Sequence, residues 1–562
     1  MTLARKGVLL AIVVLLVLLV AAGAAFAAKP KHVMIVVMDQ MQPGYAQKYD
    51  MSNVLWLQGH GFNYKNAWVG DMASETVVSH NVMVSGLYPA HMGWSDEAFR
   101  DVNNVIGQGA NAIITSGDLG LTDYVKLIQA MDYPKLGDYL HHKYPGSIVA
   151  NVGEKGYQVE SMAASSSDIA VRMGSKKATG DPSGLPWIGN YRGASGLNVP
   201  AYITGNARFK VSVANDRPDT DPAYPSDYYG TKAGFPSYMY YEDGRYVAGP
   251  FDTNLSGDTW VADAAIQIME NENWSGLWVT FSAIDKIGHL WGGGAVDTRA
   301  NYDWTPNTLF EQVHMPWAAK TADDQLGRLI DELKSKGIFN DTLIVVTADH
   351  GSTYAKTGNF HGTDELDGAN LAGWYAGEWH SGNTADISSS PGSADLKPLM
   401  DTGKVEFSYQ STSIESWLKL GSRSWNDRLS VARTMAALPD VIATYVRHGN
   451  HYVLATSSAT MTSAEKDWWQ KTGQHLVDTM AWAGSADVVG LLADKTTYAA
   501  FGDHGGAQKD VQRIPMAFYA KGIKHKDLTN NIKLVDIMPT VLKAMGIRQM
   551  ATMDGSARDL GL

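Results

Sequence analysis

The sequence predicts an α/β protein, a doubly wound and mostly parallel sheet flanked by helices and interrupted by loop-rich insertions. Three observations predict it. Short runs rich in Val, Ile and Leu recur without clean polar alternation, as expected of strands covered on both faces. Amphipathic helical stretches lie between them, giving the helix-then-strand rhythm of crossovers onto one sheet. An Asp or His closely follows several of the runs, and a parallel sheet gathers the carboxyl ends of its strands along one edge.

In chain order, Arg5 and Lys6 precede an uncharged apolar stretch over residues 7–28, and Ala25-Phe26-Ala27 has the small-x-small pattern a signal peptidase accepts. Residues 1–27 are therefore read as a signal peptide, and the protein as exported, periplasmic or secreted. Left uncleaved, the same stretch is long enough to anchor the protein in a membrane. Residues 32–38 (HVMIVVM) form the first buried strand and lead into Asp39. Residues 276–283 (GLWVTFSA) lead into Asp285, with His289 four positions on, so a helical turn there points both side chains to one side.

Residues 316–336 carry Ala319, Ala322, Leu326, Leu329, Ile330 and Leu333 on one helical face, with Pro316 at the start and Gly337 at the end. Residues 342–348 (TLIVVTA) follow at once and lead into Asp349-His350-Gly351. A fourth run, 486–493 (ADVVGLLA), is placed in the same sheet and is followed, after a hydroxyl-rich stretch, by His504. Residues 514–519 add a strand, and 533–545 a helix stopped by Gly546. Two stretches break this rhythm. Residues 180–250 are dense in Gly, Pro, Asp and Tyr, and 360–398 in Gly, Ser and Asp. A helical segment around 430–438 follows, then a hairpin over 443–455 turning at Gly449-Asn450. The chain is read as one catalytic domain over 28–562, with insertions at about 159–250 and 354–485.

An isolated Asp after a strand means little, because it commonly caps the next helix. Asp39, Asp285, His289, Asp349, His350 and His504 together bring three carboxylates and three imidazoles to one edge, enough for two divalent ions. The 562 residues contain no Cys, which excludes thiolate metal sites and a Cys nucleophile. An Asp/His set suits zinc best, with manganese and iron left open. Composition is that of an ordinary globular protein, 45% hydrophobic and 19% charged. At a net charge of −12 with no long basic run, there is no electrostatic footprint for nucleic acid. Bound metal would supply local positive charge for an anionic small-molecule substrate.

Between the first two ligand strands, Glu75-Thr76-Val77-Val78-Ser79-His80 runs on to Ser85-Gly86-Leu87-Tyr88-Pro89. Here the chain resembles the alkaline phosphatase superfamily, and within it the type I phosphodiesterase/nucleotide pyrophosphatase branch. That branch carries a nucleophilic Thr ten residues before the Gly of Thr-Gly-Leu-Tyr-Pro, as Thr76 stands to Gly86. The Asp39 strand, Asp285 to His289, Asp349-His350-Gly351, His504-Gly505, Ile514-Pro515-Met516 and Asp536-Ile537-Met538-Pro539-Thr540 extend the likeness over most of the chain outside the insertions. The resemblance implies an alkaline phosphatase-like core, one ion held by Asp39, Thr76, Asp349 and His350, the other by Asp285, His289 and His504, and Thr76 as nucleophile. Chemistry agrees, since a divalent cation holds a Thr hydroxyl as alkoxide near neutral pH and a helix opening at Thr76 adds a favourable field.

The chain departs from that pattern in places. Val78-Ser79-His80 stands for Pro-Asn-His, and His91 comes one position early. Asp96-Glu97 occupies the region where phosphodiesterase relatives carry an Asn. Lys155 alone answers to the Lys-x-Arg pair of the monoesterase-like branch. The reading is a hydrolase of phosphodiesters or nucleotide pyrophosphates acting through phospho-Thr76, with an alkaline phosphomonoesterase as the alternative. Ser74, Ser79 and Ser85 compete with Thr76, and His361 with His504, while His80 reads as a packed helix histidine. A formylglycine sulfatase is excluded because both Cys and Ser-x-Pro-x-Arg are missing. A phosphosugar mutase conflicts with the leader, and a relict binding protein with the complete ligand set.

Overall fold

The structure, a computed structural model, describes residues 29–116, 119–172, 187–189, 200–204, 257–294, 314–356, 358–361, 396–458, 461–500 and 502–562. A first sheet takes β1 (His32–Met38), β2 (Phe62–Tyr64), β3 (Ile148–Gly153), β4 (Ile169–Arg172), β5 (Trp187–Gly189), β6 (Trp274–Phe281) and β7 (Thr342–Thr347). The chain then builds a second sheet from β8 (Val405–Gln410), β9 (Ser413–Leu418), β10 (Val441–His448), β11 (His451–Ser457) and β12 (Val488–Leu492). It returns to the first through β13 (Met516–Tyr519) and β14 (Lys526–Leu528).

The first sheet runs β14-β2-β13-β7-β1-β6-β3-β4-β5. Its centre, from β7 through β1, β6 and β3 to β4, is parallel throughout, and β13 and β5 join it antiparallel. Val33 to Met38 are each 0% exposed regardless of which face they point to, so the sheet is covered on both sides, as its unalternating apolar runs require. In register, Met38 lies beside Phe281 and Val37 beside Thr347. The carboxyl ends of β1, β6 and β7 are thereby level.

The principal helices are α1 (Thr76–Ser85), α2 (Gly156–Ala163), α3 (Gly257–Asn271), α4 (Ala283–Trp291), α5 (His314–Ser335), α6 (Trp425–Met435) and α7 (Ile537–Met545). The expected amphipathic helix is α5, and Ala319, Ala322, Leu326, Leu329, Ile330 and Leu333 are all buried on it. It packs on α3 and α4, while α1 packs on α2 and α7. Gly86 ends α1 at φ +67 and Gly546 ends α7 at φ +66, left-handed positions that cost glycine nothing.

The run 486–493 is a correction. It was expected in the parallel sheet, but β12 is a central strand of the second sheet, order β8-β9-β12-β10-β11, antiparallel throughout. The reason is that this sheet too has a core on each face. Val489 and Leu491 point into a cluster with Trp417 and Tyr445, and Val488 and Leu492 into one with Ile414 and Val446. A strand buried on both sides reads the same in either sheet. The expected hairpin is β10–β11, turning at Gly449 with φ +65, and the helix expected around 430–438 is α6, capped by the Ser424 hydroxyl.

The start of the first insertion also differs from expectation. Both α2 and β4 belong with the main sheet, and β5 extends it to Gly189. Most of 180–250, the leader and residues 362–395 lie outside the described residues. Among the described residues no helix is long and apolar enough to cross a membrane.

Candidate active site

The level ends of β1 and β7 bring Asp39, Asp349 and His350 together, with ligand atoms all within 4.8 Å of one another. A second set, within the same limit, is Asp285, His289 and His504, and all six side chains are buried. Asp285 stands in the first turn of α4 and His289 in its last, with Nε2 of His289 3.1 Å from Oδ1 of Asp285. His504 arrives from a different part of the fold. It follows a two-residue strand, Gly502–Asp503, that pairs with Thr353–Tyr354 just past His350. The Thr412 N–H donates to its carbonyl at 3.2 Å, and the Ser411 and Ser413 hydroxyls donate to that of Gly505 at 2.8 and 2.9 Å. The second sheet therefore carries the segment that presents His504. Its ring stacks on His350 with centroids 3.7 Å apart.

Thr76 is the first residue of α1, and its Oγ1 lies 3.1 Å from His350 Nε2. Ser74 is occupied elsewhere, donating to the Gly506 carbonyl and accepting from its N–H, and Ser79 lies a turn along the helix. Both nitrogens of His80 are engaged, one with the Thr76 carbonyl at 2.7 Å and the other with the Thr280 hydroxyl at 2.9 Å. It is a packed helix histidine that tethers α1 to β6, and burial pushes it down to about 4. His361 pairs instead with Asp440 at 2.8 Å and packs on Tyr498; it belongs to neither ligand set.

Lys155, at the turn between β3 and α2, sits between the two sets with Nζ 2.6 Å from both Asp39 Oδ2 and Asp285 Oδ2. Burial followed by the Asp285 and Asp349 charges pushes Asp39 well above the usual carboxylate range. Burial also acts to raise Asp285, but Lys155 and then His289 outweigh it and hold that carboxyl well below the range. Burial pushes His350 down, and burial with the neighbouring imidazoles pushes His504 far down. Neutral imidazole is the metal-binding form. Asp39 Oδ1 and Asp349 Oδ2 are buried and accept no hydrogen bond from the described residues. Orphaned carboxylate oxygens beside a neutral imidazole give the first set donors that fit a divalent ion, and in the second set His289 carries a buried ring nitrogen, Nδ1, without a hydrogen bond to any described residue.

Sequence reasoning missed a layer of supporting groups. Gln40 donates its N–H to Asp349 at 3.1 Å and its amide to Asp285 at 3.1 Å, joining the two sets. Oε2 of Glu75 lies 2.5 Å from His504 Nδ1, and the Tyr409 hydroxyl, from β8, reaches Glu75 and Glu97 at 3.2 Å each. Burial, then Glu97 and Asp96, raises Glu75 well above the usual range. Burial raises Asp96 to about 6, Glu97 to about 7 and Asp503 to about 8. The position of Glu75, directly before Thr76, was a usable signal; Tyr409, in an insertion, had none.

Gly505 is the tightest backbone position here. It has φ +83, and a Cβ on it would fall 1.7 Å from Glu75 Oε1. Gly505→Ala is expected to cost about 3 kcal/mol or more through strain and overlap, read as a lower Tm together with weaker metal retention. A variant with unchanged Tm and metal content would show that the Glu75–His504 contact yields freely.

The family model for type I phosphodiesterase / nucleotide pyrophosphatase matches residues 33–369. No curated protein matches the chain. Among solved structures, the fold is similar to wild-type alkaline phosphatase PafA, with TM-score 0.59 and 15% identity over 92% of this chain and 96% of that one. Murine ectonucleotide pyrophosphatase/phosphodiesterase 5, in an inactive form bound to AMP, aligns with TM-score 0.48 and 11% identity over 94% of this chain and 97% of that one.

Proposed function

Because the chain belongs to the type I phosphodiesterase / nucleotide pyrophosphatase family and is on that ground a phosphoric ester hydrolase, we propose that it is an exported enzyme that cleaves phosphodiesters or nucleotide pyrophosphates through a covalent phospho-Thr76 intermediate. The observation that carries this reading is the Thr76 hydroxyl, at the opening of a buried helix and 3.1 Å from an imidazole of one ligand set. Asp39, Thr76, Asp349 and His350 would hold one divalent ion and Asp285, His289 and His504 the other, with zinc the metal best matched to these donors. Bound there, the ions would supply Lewis-acid charge to the displacement at phosphorus.

The chain's own residues do the rest. Thr76 Oγ1 loses its proton to solvent and attacks phosphorus, and as the Oγ1–P bond forms the P–O bond to the leaving group breaks, the leaving oxygen departing with the electron pair and taking a proton from water. Water then attacks the phospho-Thr76 phosphorus and releases the free hydroxyl. The N-terminal field of α1 favours the anionic attacking oxygen and the phosphoryl group. His80 keeps that helix end against β6. Lys155 offsets two of the three ligand carboxylates, so the site binds a phosphate ester without facing their full charge. Export rests on residues 1–27, which carry the leader pattern.

Substrate class follows from charge. A monoester brings about two negative charges and a diester one, and the site offers Lys155 between Asp39 and Asp285 and Lys286 at 3.9 Å from Asp285 as cations, both set against ligand-set carboxylates. Catalytic efficiency is expected to be higher on a bis-aryl phosphate than on the aryl monoester of the same phenol. A monoester preference of about tenfold or more would overturn the diester reading in favour of an alkaline phosphomonoesterase.

A further inference from the structure

Strand β1 leaves the sheet in a tight turn. Asp39 and Gln40 are its central residues, and the Met41 N–H closes it on the Met38 carbonyl at 3.1 Å. Gln40 takes φ +65 there, the left-handed region that the third position of such a turn usually gives to Gly or Asn. Holding another residue in that region costs free energy, and such residues persist where the surrounding structure uses them. Gln40 is also 0% exposed, so a polar side chain is buried on a strained backbone.

Its hydrogen bonds show what the strain secures. The backbone N–H donates to Asp349 Oδ1 at 3.1 Å, an oxygen that also accepts the His350 N–H at 2.9 Å. The side-chain amide donates to Asp285 Oδ1 at 3.1 Å. That oxygen faces the imidazoles of the second set, with His289 Nε2 at 3.1 Å and His504 Nε2 at 3.6 Å. A carboxylate accepts and does not donate, so the amide nitrogen faces Asp285 and Oε1 points the other way. Oε1 is buried with no hydrogen-bond partner among the described residues. It lies against Gly288 of α4, where an added Cβ would overlap it. One residue thus touches a ligand of each set and wedges the helix that carries Asp285 and His289. Lys155 also links the sets, through Asp39 and Asp285, but its ammonium repels a divalent ion at either place. The amide is neutral and joins them without that opposition.

We propose that Gln40 is a positioning residue for the second ligand set. It holds Asp285 Oδ1 and the adjoining turn of α4 in place against the first set, and so governs how tightly the second ion is kept. This rests on the two-metal reading of the site.

The test uses two variants that both keep the backbone N–H to Asp349. Gln40→Met preserves side-chain size but has no donor for Asp285, and Gln40→Gly removes the side chain and is at ease at φ +65. The zinc-loaded full chain is titrated with a chromophoric chelator, and the two stepwise zinc affinities are read; the ion that His504→Ala retains marks the first set. Both Gln40 variants are expected to hold the second-set ion about tenfold or more weakly and the first-set ion within about twofold of the parent, because loss of a ligand's outer partner acts on that ligand's metal. A residue that merely packs would leave both affinities unchanged, or lower Tm and weaken both ions alike. Either outcome overturns the inference while a parent holding two ions upholds the two-metal reading. A parent that holds fewer than two overturns that reading instead.

Discussion

Replacing Thr76 by Ala is expected to lower kcat by about a thousandfold or more, while the protein keeps its Tm and most of its metal. The geometry explains both halves. The Thr76 hydroxyl lies 3.1 Å from His350 of one candidate ligand set, so truncation removes the proposed attacking oxygen. The six carboxylate and imidazole ligands come from other segments, and Ala opens a helix nearly as well as Thr. Thr76→Ser, which restores a hydroxyl, is expected to recover part of the activity. Near-normal turnover of Thr76→Ala at full metal occupancy would remove Thr76 from the chemistry and return Ser74 or Ser79 to consideration.

Removing metal is the second large effect. Elemental analysis is expected to find about two divalent ions per chain, and a chelator to abolish turnover and lower Tm. Asp39, Asp285 and Asp349 are each 0% exposed, and Lys155, with Lys286 at 3.9 Å from Asp285, leaves at least one of the three carboxylates unneutralised. Stripped protein should stay folded, because Lys155 still bridges Asp39 and Asp285, but with less stability. His350→Ala is expected to weaken one ion and His504→Ala the other, with His361→Ala changing neither. If His361→Ala empties a site and His504→Ala does not, the assignment of the second set is wrong. Full activity in exhaustively chelated protein would sink the two-metal reading altogether.

Much of the centre was legible because the parallel strands advertise themselves. β1, β6 and β7 are apolar on both faces, each is followed by its Asp within a few residues, and level register does the gathering. The i,i+4 spacing of Asp285 and His289 was likewise a local signal, and α4 realises it. The same signal misled at 486–493. A strand sandwiched between two apolar clusters carries no mark of which sheet it joins, or of its direction. Gln40, Glu75 and Tyr409 escaped for another reason. Gln40 and Glu75 act on side chains of other segments, and Tyr409 lies in a strand of the second sheet. Their partners are set by three-dimensional packing, not by periodicity.

The origin of His504 has a consequence for the timing of maturation. Asp285 and His289 are set by a single helix, but their third partner hangs on contacts with Ser411, Thr412 and Ser413 of another sheet. Closing that ring means joining segments more than two hundred residues apart, the slow kind of event in folding. Until the antiparallel lobe has formed and docked, the second ligand set has two members and no enclosure. Catalytic competence is thus expected among the last properties this chain acquires, with a half-folded molecule a silent one.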